Sequence, residues 1–228
     1  MRQAAERDPS ERNLPHRTWT SQPASARLDS ASLAGWRAGT APQIEWTKSR
    51  GPVSNQTAAG SRSFTYDLAN RLATTTLGST TTSYSYDGDG NRLQAATGNG
   101  ASQIINYQWD TNRSVPQLAI ERDGSNALLR RYIYGARRVS MSSGGNTYYY
   151  HYDVLGSVGN VSSASGVTEW TESYDPYGAT RAETKNDPSA ASNPMKFAGE
   201  YEDATGLYYL RARQYDAATG FLTLDPVL

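Results

Sequence analysis

From Phe64 onward, apolar or aromatic residues alternate with polar ones in short runs, and most runs close on Asp, Asn or Gly. A period of two is the signature of β-strands with one buried face. Thr82, Tyr84 and Tyr86 take one face of such a run before the turn at Asp87. Near the C-terminus, Asp203-Ala-Thr-Gly206 and Asp216-Ala-Ala-Thr-Gly220 are near-copies of one turn. The Asp of each can hold the turn through the backbone that follows, and the Gly can take positive φ. Between them the alternation predicts one strand from Leu207 to Tyr215. Leu207, Tyr209, Arg211 and Arg213 would share one face of it, and Tyr208, Leu210, Ala212 and Gln214 the other.

The runs recur. Phe64-Thr-Tyr-Asp-Leu-Ala-Asn-Arg-Leu72 is followed by Ser85-Tyr-Asp-Gly-Asp-Gly-Asn-Arg-Leu93, with Asp67 and Asp87 twenty residues apart. Gln108-Trp-Asp-Thr-Asn-Arg113 is a weaker echo, and Tyr132-Ile-Tyr-Gly135 stands where the next should fall but lacks the Asp. Tyr152-Asp-Val-Leu-Gly-Ser157 and Tyr174-Asp-Pro-Tyr-Gly178 follow, twenty-two residues apart by their aspartates. A period of roughly 20–25 residues marks one supersecondary unit used repeatedly. Tyr suits a strand, with an apolar body and a polar tip; Asp starts the turn; Arg-Leu starts the return strand. Arg92 can lie over a neighbouring Tyr ring at an exposed site. A lone hairpin is marginal in water, so the units must add edge to edge into a larger sheet. The fold class is all-β. Residues 179–192, small and charged around Asp187-Pro188, read as a surface loop or short helical insertion.

Composition divides the chain near residue 63. All 16 Tyr and all 3 Phe lie from Phe64 onward. Residues 1–63 are rich in Ser, Ala, Arg, Gln and Pro, with Trp19, Trp36 and Trp46 isolated, and read as a disordered leader. They carry 9 Lys/Arg against 5 Asp/Glu, and the remainder 13 against 17, so a net of zero is the sum of +4 and −4. Neither part is charged enough to imply a nucleic-acid partner, and the acidic balance of the second argues against one for Arg130-Arg131 and Arg137-Arg138. Those pairs read as straddling the two faces of a strand. With no Cys and only His16 and His151, no metal site or cofactor is predicted. No apolar run reaches membrane-spanning length, and the Arg-rich start lacks the apolar core of a signal peptide.

The Tyr-Asp-x-x-Gly-Asn-Arg-Leu pattern resembles the YD repeat of bacterial Rhs proteins, wall-associated proteins, insecticidal toxin-complex C subunits and animal teneurins. The stretch from Tyr148 to Pro226 is similar to the Rhs repeat-associated core domain. It carries Tyr152-Asp-Val-Leu-Gly-Ser157, Ser173-Tyr-Asp-Pro-Tyr-Gly178, Asn193-Pro194 with Phe197-Ala-Gly-Glu200, and Thr205-Gly-Leu-Tyr-Tyr-Leu-Arg-Ala-Arg213. The resemblance implies hairpins at 64–147 and a core domain at 148–228, in a curved, spiralling sheet that is part of a hollow shell. It implies a structural module that encloses or presents a downstream effector. The implied partners are further YD-repeat sequence, a C-terminal toxin domain and an immunity protein for that toxin. Family members are secreted or stand at the cell surface.

Self-cleaving members use an aspartyl mechanism with an Arg in an Arg-x-Tyr-Asp motif and an Asp in the Asp-Pro that follows. By position these match Arg213 and Asp225, the candidate catalytic residues. Two close carboxylates cannot both ionise, so one serves as acid while the other activates a nucleophile, and a guanidinium tunes the pair. The family's Gly-Arg-Phe is Gly220-Phe221 here, Ala217 stands for the usual Pro, and the later Asp-Pro-x-Gly-Leu segment does not follow Asp225 within the sequence. The enzyme reading is therefore a half-site that further sequence would complete. A third reading, carbohydrate binding, rests on Tyr148-Tyr-Tyr-His-Tyr152 as a stacking platform; wall packing is the plainer account of the same run.

Overall fold

The structure, a computed structural model, describes residues 48–50, 55–98 and 100–224. Of the expected leader, residues 1–47 and 51–54 lie outside the described residues. The strand ladder begins before the expected boundary at residue 63: β1 (Lys48–Arg50), β2 (Gln56–Ala59) and the start of β3 (Arg62–Tyr66) already belong to it. β4 (Leu72–Leu77), β5 (Thr80–Tyr86), β6 (Arg92–Ala96), β7 (Ile104–Asp110) and β8 (Gln117–Asp123) follow. Then come β9 (Leu128–Tyr134), β10 (Arg138–Ser143), β11 (Asn146–Tyr152), β12 (Val158–Ser163), β13 (Thr168–Tyr174) and β14 (Thr180–Lys185). All fourteen form one antiparallel sheet in sequence order. The ladder passes through residue 148 without a break, and the change of sheet comes after Lys185. A second, four-stranded meander holds β15 (Tyr201–Glu202), β16 (Tyr208–Tyr209), β17 (Gln214–Asp216) and β18 (Gly220–Phe221). Among the described residues no helix is long and apolar enough to cross a membrane.

The turns are built alike, as the spacing of Asp predicts. At Asp67, Asp87, Asp123, Asp153 and Asp175 the Oδ1 atom accepts the N–H groups two and four residues on, at 2.8–3.0 Å. The third residue after the Asp takes positive φ: Asn70 (64°), Gly90 (86°), Asn126 (70°), Gly156 (87°) and Gly178 (91°). Gly178 is required a second time, since a Cβ there would stand 2.6 Å from the Phe197 ring.

Each Tyr-Asp turn is followed by a β-bulge. Tyr66 pairs with Leu72, Tyr86 with Arg92, Trp109 with Leu118, Tyr134 with Arg138 and Tyr152 with Val158, with one extra residue next on the return strand. A bulge disrupts the ladder and leaves a backbone group without its sheet partner. The aromatic of the next unit supplies one. Tyr86 Oη donates to Leu72 O (2.8 Å), Trp109 Nε1 to Arg92 O (2.7 Å), and Tyr134 Oη to Leu118 O (2.9 Å). Tyr152 Oη donates to Arg138 O (2.9 Å) and Tyr174 Oη to Val158 O (3.0 Å). Tyr132-Ile-Tyr-Gly135 is thus a full member without its Asp: its tighter turn closes through Gly135 N to Arg137 O.

Two expected elements differ. Residues 180–185 are strand β14, paired along β13 from Trp170–Lys185 to Tyr174–Thr180, rather than a loop or helix. Its alternation is masked because all but its last residue are exposed. The single strand from Leu207 to Tyr215 is two strands with a kink between them. Arg211 takes φ 62° there, and Leu207, Tyr208 and Tyr209 are all buried, so they share no simple two-face alternation.

The meander explains the curvature of the large sheet. Laid flat, β2 and β13 would stand about 50 Å apart, whereas a four-stranded meander is about 15 Å wide. Yet the meander touches both β2 and the turn that follows β13. Gln56 Nε2 donates to Thr219 Oγ1 (3.2 Å) and Gln56 N to Leu222 O (2.7 Å), while Tyr215 Oη donates to Tyr177 O (2.7 Å) and Tyr208 Oη to Gly178 O (2.9 Å). The sheet bends around residues 190–224 and packs its tyrosine face on them. The residue two before each turn aromatic faces inward and is buried: Phe64, Tyr84, Tyr107, Tyr132, Tyr150 and, in the last unit, Glu172.

Burial lifts the phenols of Tyr84, Tyr107, Tyr150 and Tyr201 well above the ordinary value near 10, and that of Tyr209 to about 12. A folded-state pKa above the unfolded one gives stability that is complete below about pH 10 and lost as pH rises through the folded values. The urea midpoint should therefore hold steady up to about pH 10 and then fall steeply, with phenolate absorbance appearing together with unfolding. Tyrosines that ionise near 10 in a chain that stays folded would contradict this packing.

Candidate functional site

The residue paired with the turn aromatic across each of the first five bulges points inward, whereas its counterpart in the last unit, Thr180, is exposed. Leu72, Arg92 and Val158, each five after its Asp, hold that position, as do Leu118, the second residue of β8, and Arg138, the first of β10. Arg92 is thus the counterpart of Leu72, not of Arg71, although both arginines stand in Asn-Arg-Leu. Arg71 stays near its turn, bonded to Asp67 (2.8 Å) and stacked on Tyr86. Arg92 does lie over a Tyr ring, as expected, but in the interior: it is 1% exposed, 4.4 Å from the ring centres of both Tyr84 and Tyr209. Its Nη1 donates to Asp203 Oδ2 (2.9 Å) and its Nη2 to Gln214 Oε1 (2.8 Å). Burial alone would lower the guanidinium pKa; Asp203 together with the surrounding tyrosines outweighs it and holds the charge.

Two further charged clusters join the wall to the C-terminal segment, residues 190–224. Glu121, fully buried, accepts from Tyr132 Oη, Tyr201 Oη (3.1 Å) and Arg130 Nη1 (2.9 Å). Lys196 donates to Glu172 (2.8 Å) and Glu183 (2.5 Å), and Glu172 also accepts from Tyr174 Oη (2.5 Å). Burial lowers the Lys196 ammonium, but its two carboxylate hydrogen bonds raise it further, so it stays charged. None of these clusters was predicted from sequence. The signal available was spacing counted from Asp instead of from Asn-Arg-Leu.

The predicted pair is only partly visible. Asp225 lies outside the described residues. Arg213 sits just before β17, with its guanidinium 3.9 Å over the Phe221 ring of β18. The Arg pairs straddle the strand as expected: Arg130 turns in to Glu121 while Arg131 is exposed, and Arg138 is buried while Arg137 lies outside over Tyr152. Along Tyr148–Tyr152 the alternate rings of Tyr148 and Tyr150 are buried and Tyr149 is exposed. His151 faces outward and bonds Ser162 Oγ across the ladder (2.8 Å).

An open cavity of about 270 Å³ lies at the rim formed by the turns after β7, β9 and β11 and is closed on one side by residues 198–200 and Arg211. Arg113, Arg137, Arg138, Arg211 and Glu200 supply its charges. A second cavity, about 240 Å³, is lined mainly by Phe197, Tyr208, Leu210, Tyr215 and Phe221.

No family model matches the chain. It is 35% identical over 179 residues to the tRNA3(Ser)-specific nuclease WapA of Bacillus spizizenii, and 34% identical over 179 residues to the tRNA nuclease WapA of Bacillus subtilis strain 168. Each match takes 75% of this chain, which spans only 7% of the length of those relatives. Among solved structures it is similar to a chain of the TcdB2-TccC3-Cdc42 crystal structure, with a TM-score of 0.58 at 22% identity over 76% of this chain and 9% of the other. A chain of the Photorhabdus luminescens Tc holotoxin pore gives 0.55 at 22% identity, again over 76% and 9%. At that identity the likeness is one of fold.

Removing one partner of a buried pair leaves the other charge uncompensated, at about 3–5 kcal/mol. Arg92→Met should lower unfolding stability by that amount in urea titration, because Asp203 would lose its cation. A loss under about 1 kcal/mol would mean that water reaches the pair.

Proposed function

We infer, from the premise that this chain belongs to the Rhs-type YD-repeat proteins, that it is a wall module which encloses polypeptide and presents a downstream effector. The observation that carries this reading is the grip of the sheet on residues 190–224. Hydrogen bonds from β2, β3, β5, β8, β9, β10 and β13 converge on that one segment. A tyrosine face of this kind offers broad apolar contact together with hydroxyl donors, so it can hold chain of varied sequence. The Bacillus relatives are named as nucleases, and this chain matches a small part of them; we read that part as scaffold and the nuclease as an example of the cargo. Further YD-repeat sequence would extend the wall, an effector and its immunity protein would be the other partners, and the setting would be secretion or the cell surface, as in the family.

An effector placed after Leu228, in a chain carrying the further repeats, should survive protease at concentrations that digest the free effector. It should lose that protection when Arg92→Met loosens the wall. Equal digestion with and without the wall would reject enclosure.

A second reading is favoured by one contact. The stacking of Arg213 on Phe221 holds a permanent positive charge beside the segment that leads to Asp225. We propose Arg213 and Asp225 as half of an aspartyl self-cleavage site that downstream sequence completes. With that sequence restored, intact-mass measurement should show a cut product in the unaltered chain and only full-length chain in Asp225→Asn and Arg213→Ala. An uncut unaltered chain would end this reading while leaving the wall unaffected.

A further inference from the structure

Arg138 is an exception among the interior cations. It is 8% exposed. Its Nε donates to Tyr134 Oη (3.0 Å) and its Nη1 to Gly199 O (2.8 Å), and the rings of Tyr132, Tyr134 and Tyr150 surround it at 5.3–5.9 Å. Arg92, Arg130 and Lys196 each meet a carboxylate within 2.9 Å. Among the described residues Arg138 has no carboxylate within 4.0 Å. A buried charge without a counter-ion is strongly unfavourable, and in proteins such charges are paired.

The 270 Å³ cavity opens at this guanidinium. Among the described residues its one lining carboxylate, Glu200, is already held by Arg211 Nη1 at 2.9 and 3.0 Å. Arg113 and Arg137 flank the same space, the first over Tyr134 with one bond to Gly135 O, the second over Tyr152. Among the described residues neither forms a salt bridge. Three guanidinium charges therefore converge on one cavity, within a part of the chain whose overall balance is acidic. The wall on the meander side is strained as well: Ala198 (φ 53°) and Arg211 (φ 62°) are non-glycine residues in the left-handed region. Strain of this kind is retained where a ligand or a site depends on it.

We propose that this cavity binds an oxyanion, a phosphate or carboxylate group, with Arg138 as the buried counter-charge and Arg113 and Arg137 as donors at the mouth. Guanidinium forks match both groups through paired N–H donors. The proposal stands whether or not the wall encloses an effector.

The test is titration calorimetry and thermal unfolding of the full chain with inorganic phosphate in one arm and acetate in the other, ionic strength held constant with sodium chloride. The expected result is saturable binding of at least one, with a matching rise in Tm. A response to phosphate alone assigns a phosphoryl ligand, and a response to acetate alone a carboxylate. Arg113→Gln and Arg137→Gln, both exposed and therefore safe for folding, should each weaken binding about tenfold. Arg138→Met should abolish it, and without anion should unfold no earlier than the parent chain, since the uncompensated charge has gone. The proposal is overturned if neither oxyanion does more than chloride, or if the Arg113 and Arg137 variants bind as tightly as the parent chain.

Discussion

The bond from a turn aromatic to the carbonyl at the preceding bulge is the constraint on which this wall depends. Whether its turn is an Asp turn or the tighter one after Tyr134, each unit carries an extra residue in its return strand, and the extra residue breaks the ladder. The broken ladder would be a weakness in each unit if the next unit did not place a donor there. Tyr fits because its ring spans the distance and its hydroxyl ends at the carbonyl. Trp109 fits because its indole N–H reaches the same place, 2.7 Å from Arg92 O. Adjacent hairpins are thereby fixed side by side through side chains as well as strand pairing.

The inner face follows from the same geometry. With the turn aromatic committed to the bulge, the residue two before it and, in the first five units, its partner across the bulge are left facing inward. Phe64, Leu72, Leu118 and Val158 are simple hydrocarbons; the others are not. Tyr84, Tyr107, Tyr132, Tyr150 and Glu172 stand at the first set of positions, and Arg92 and Arg138 at the second. The interior is therefore held by hydrogen-bonded charges at three places, around Asp203, Glu121 and Lys196, with apolar packing by Met141, Val158, Val161, Met195, Leu207 and Leu222 between them. Such charges add little net stability over hydrocarbon, but each cluster matches one residue of the C-terminal segment, Asp203, Tyr201 or Lys196, to one strand of the wall, β6, β8 or β13. That one-to-one matching sets where the C-terminal segment docks.

Much of this was legible in the sequence, because turns and strand alternation are local. Asp67, Asp87, Asp153 and Asp175 announced their turns, and Thr82, Tyr84 and Tyr86 announced their face. Arg92 was misplaced as an exposed residue because Asn-Arg-Leu recurs with Arg four residues after Asp67 but five after Asp87. The turn is counted from the Asp, so one added residue carries that side chain from rim to core. Strand β14 escaped notice since an exposed strand carries no apolar period. The break at Arg211 escaped notice since positive φ at a non-glycine residue is imposed by tertiary packing. The buried clusters lay beyond local reading because partners such as Arg92 and Asp203 are 111 residues apart.

Because every hairpin is completed by the one that follows it, assembly has a direction. A nascent chain leaves its newest backbone acceptor open until the next ring emerges, so the wall should zip from its N-terminal side, unit by unit, with no need to search among distant strands. Tyr208, reaching back from the meander to Gly178 O, is where that succession stops: the end of growth is written by a tyrosine that arrives from inside rather than from alongside.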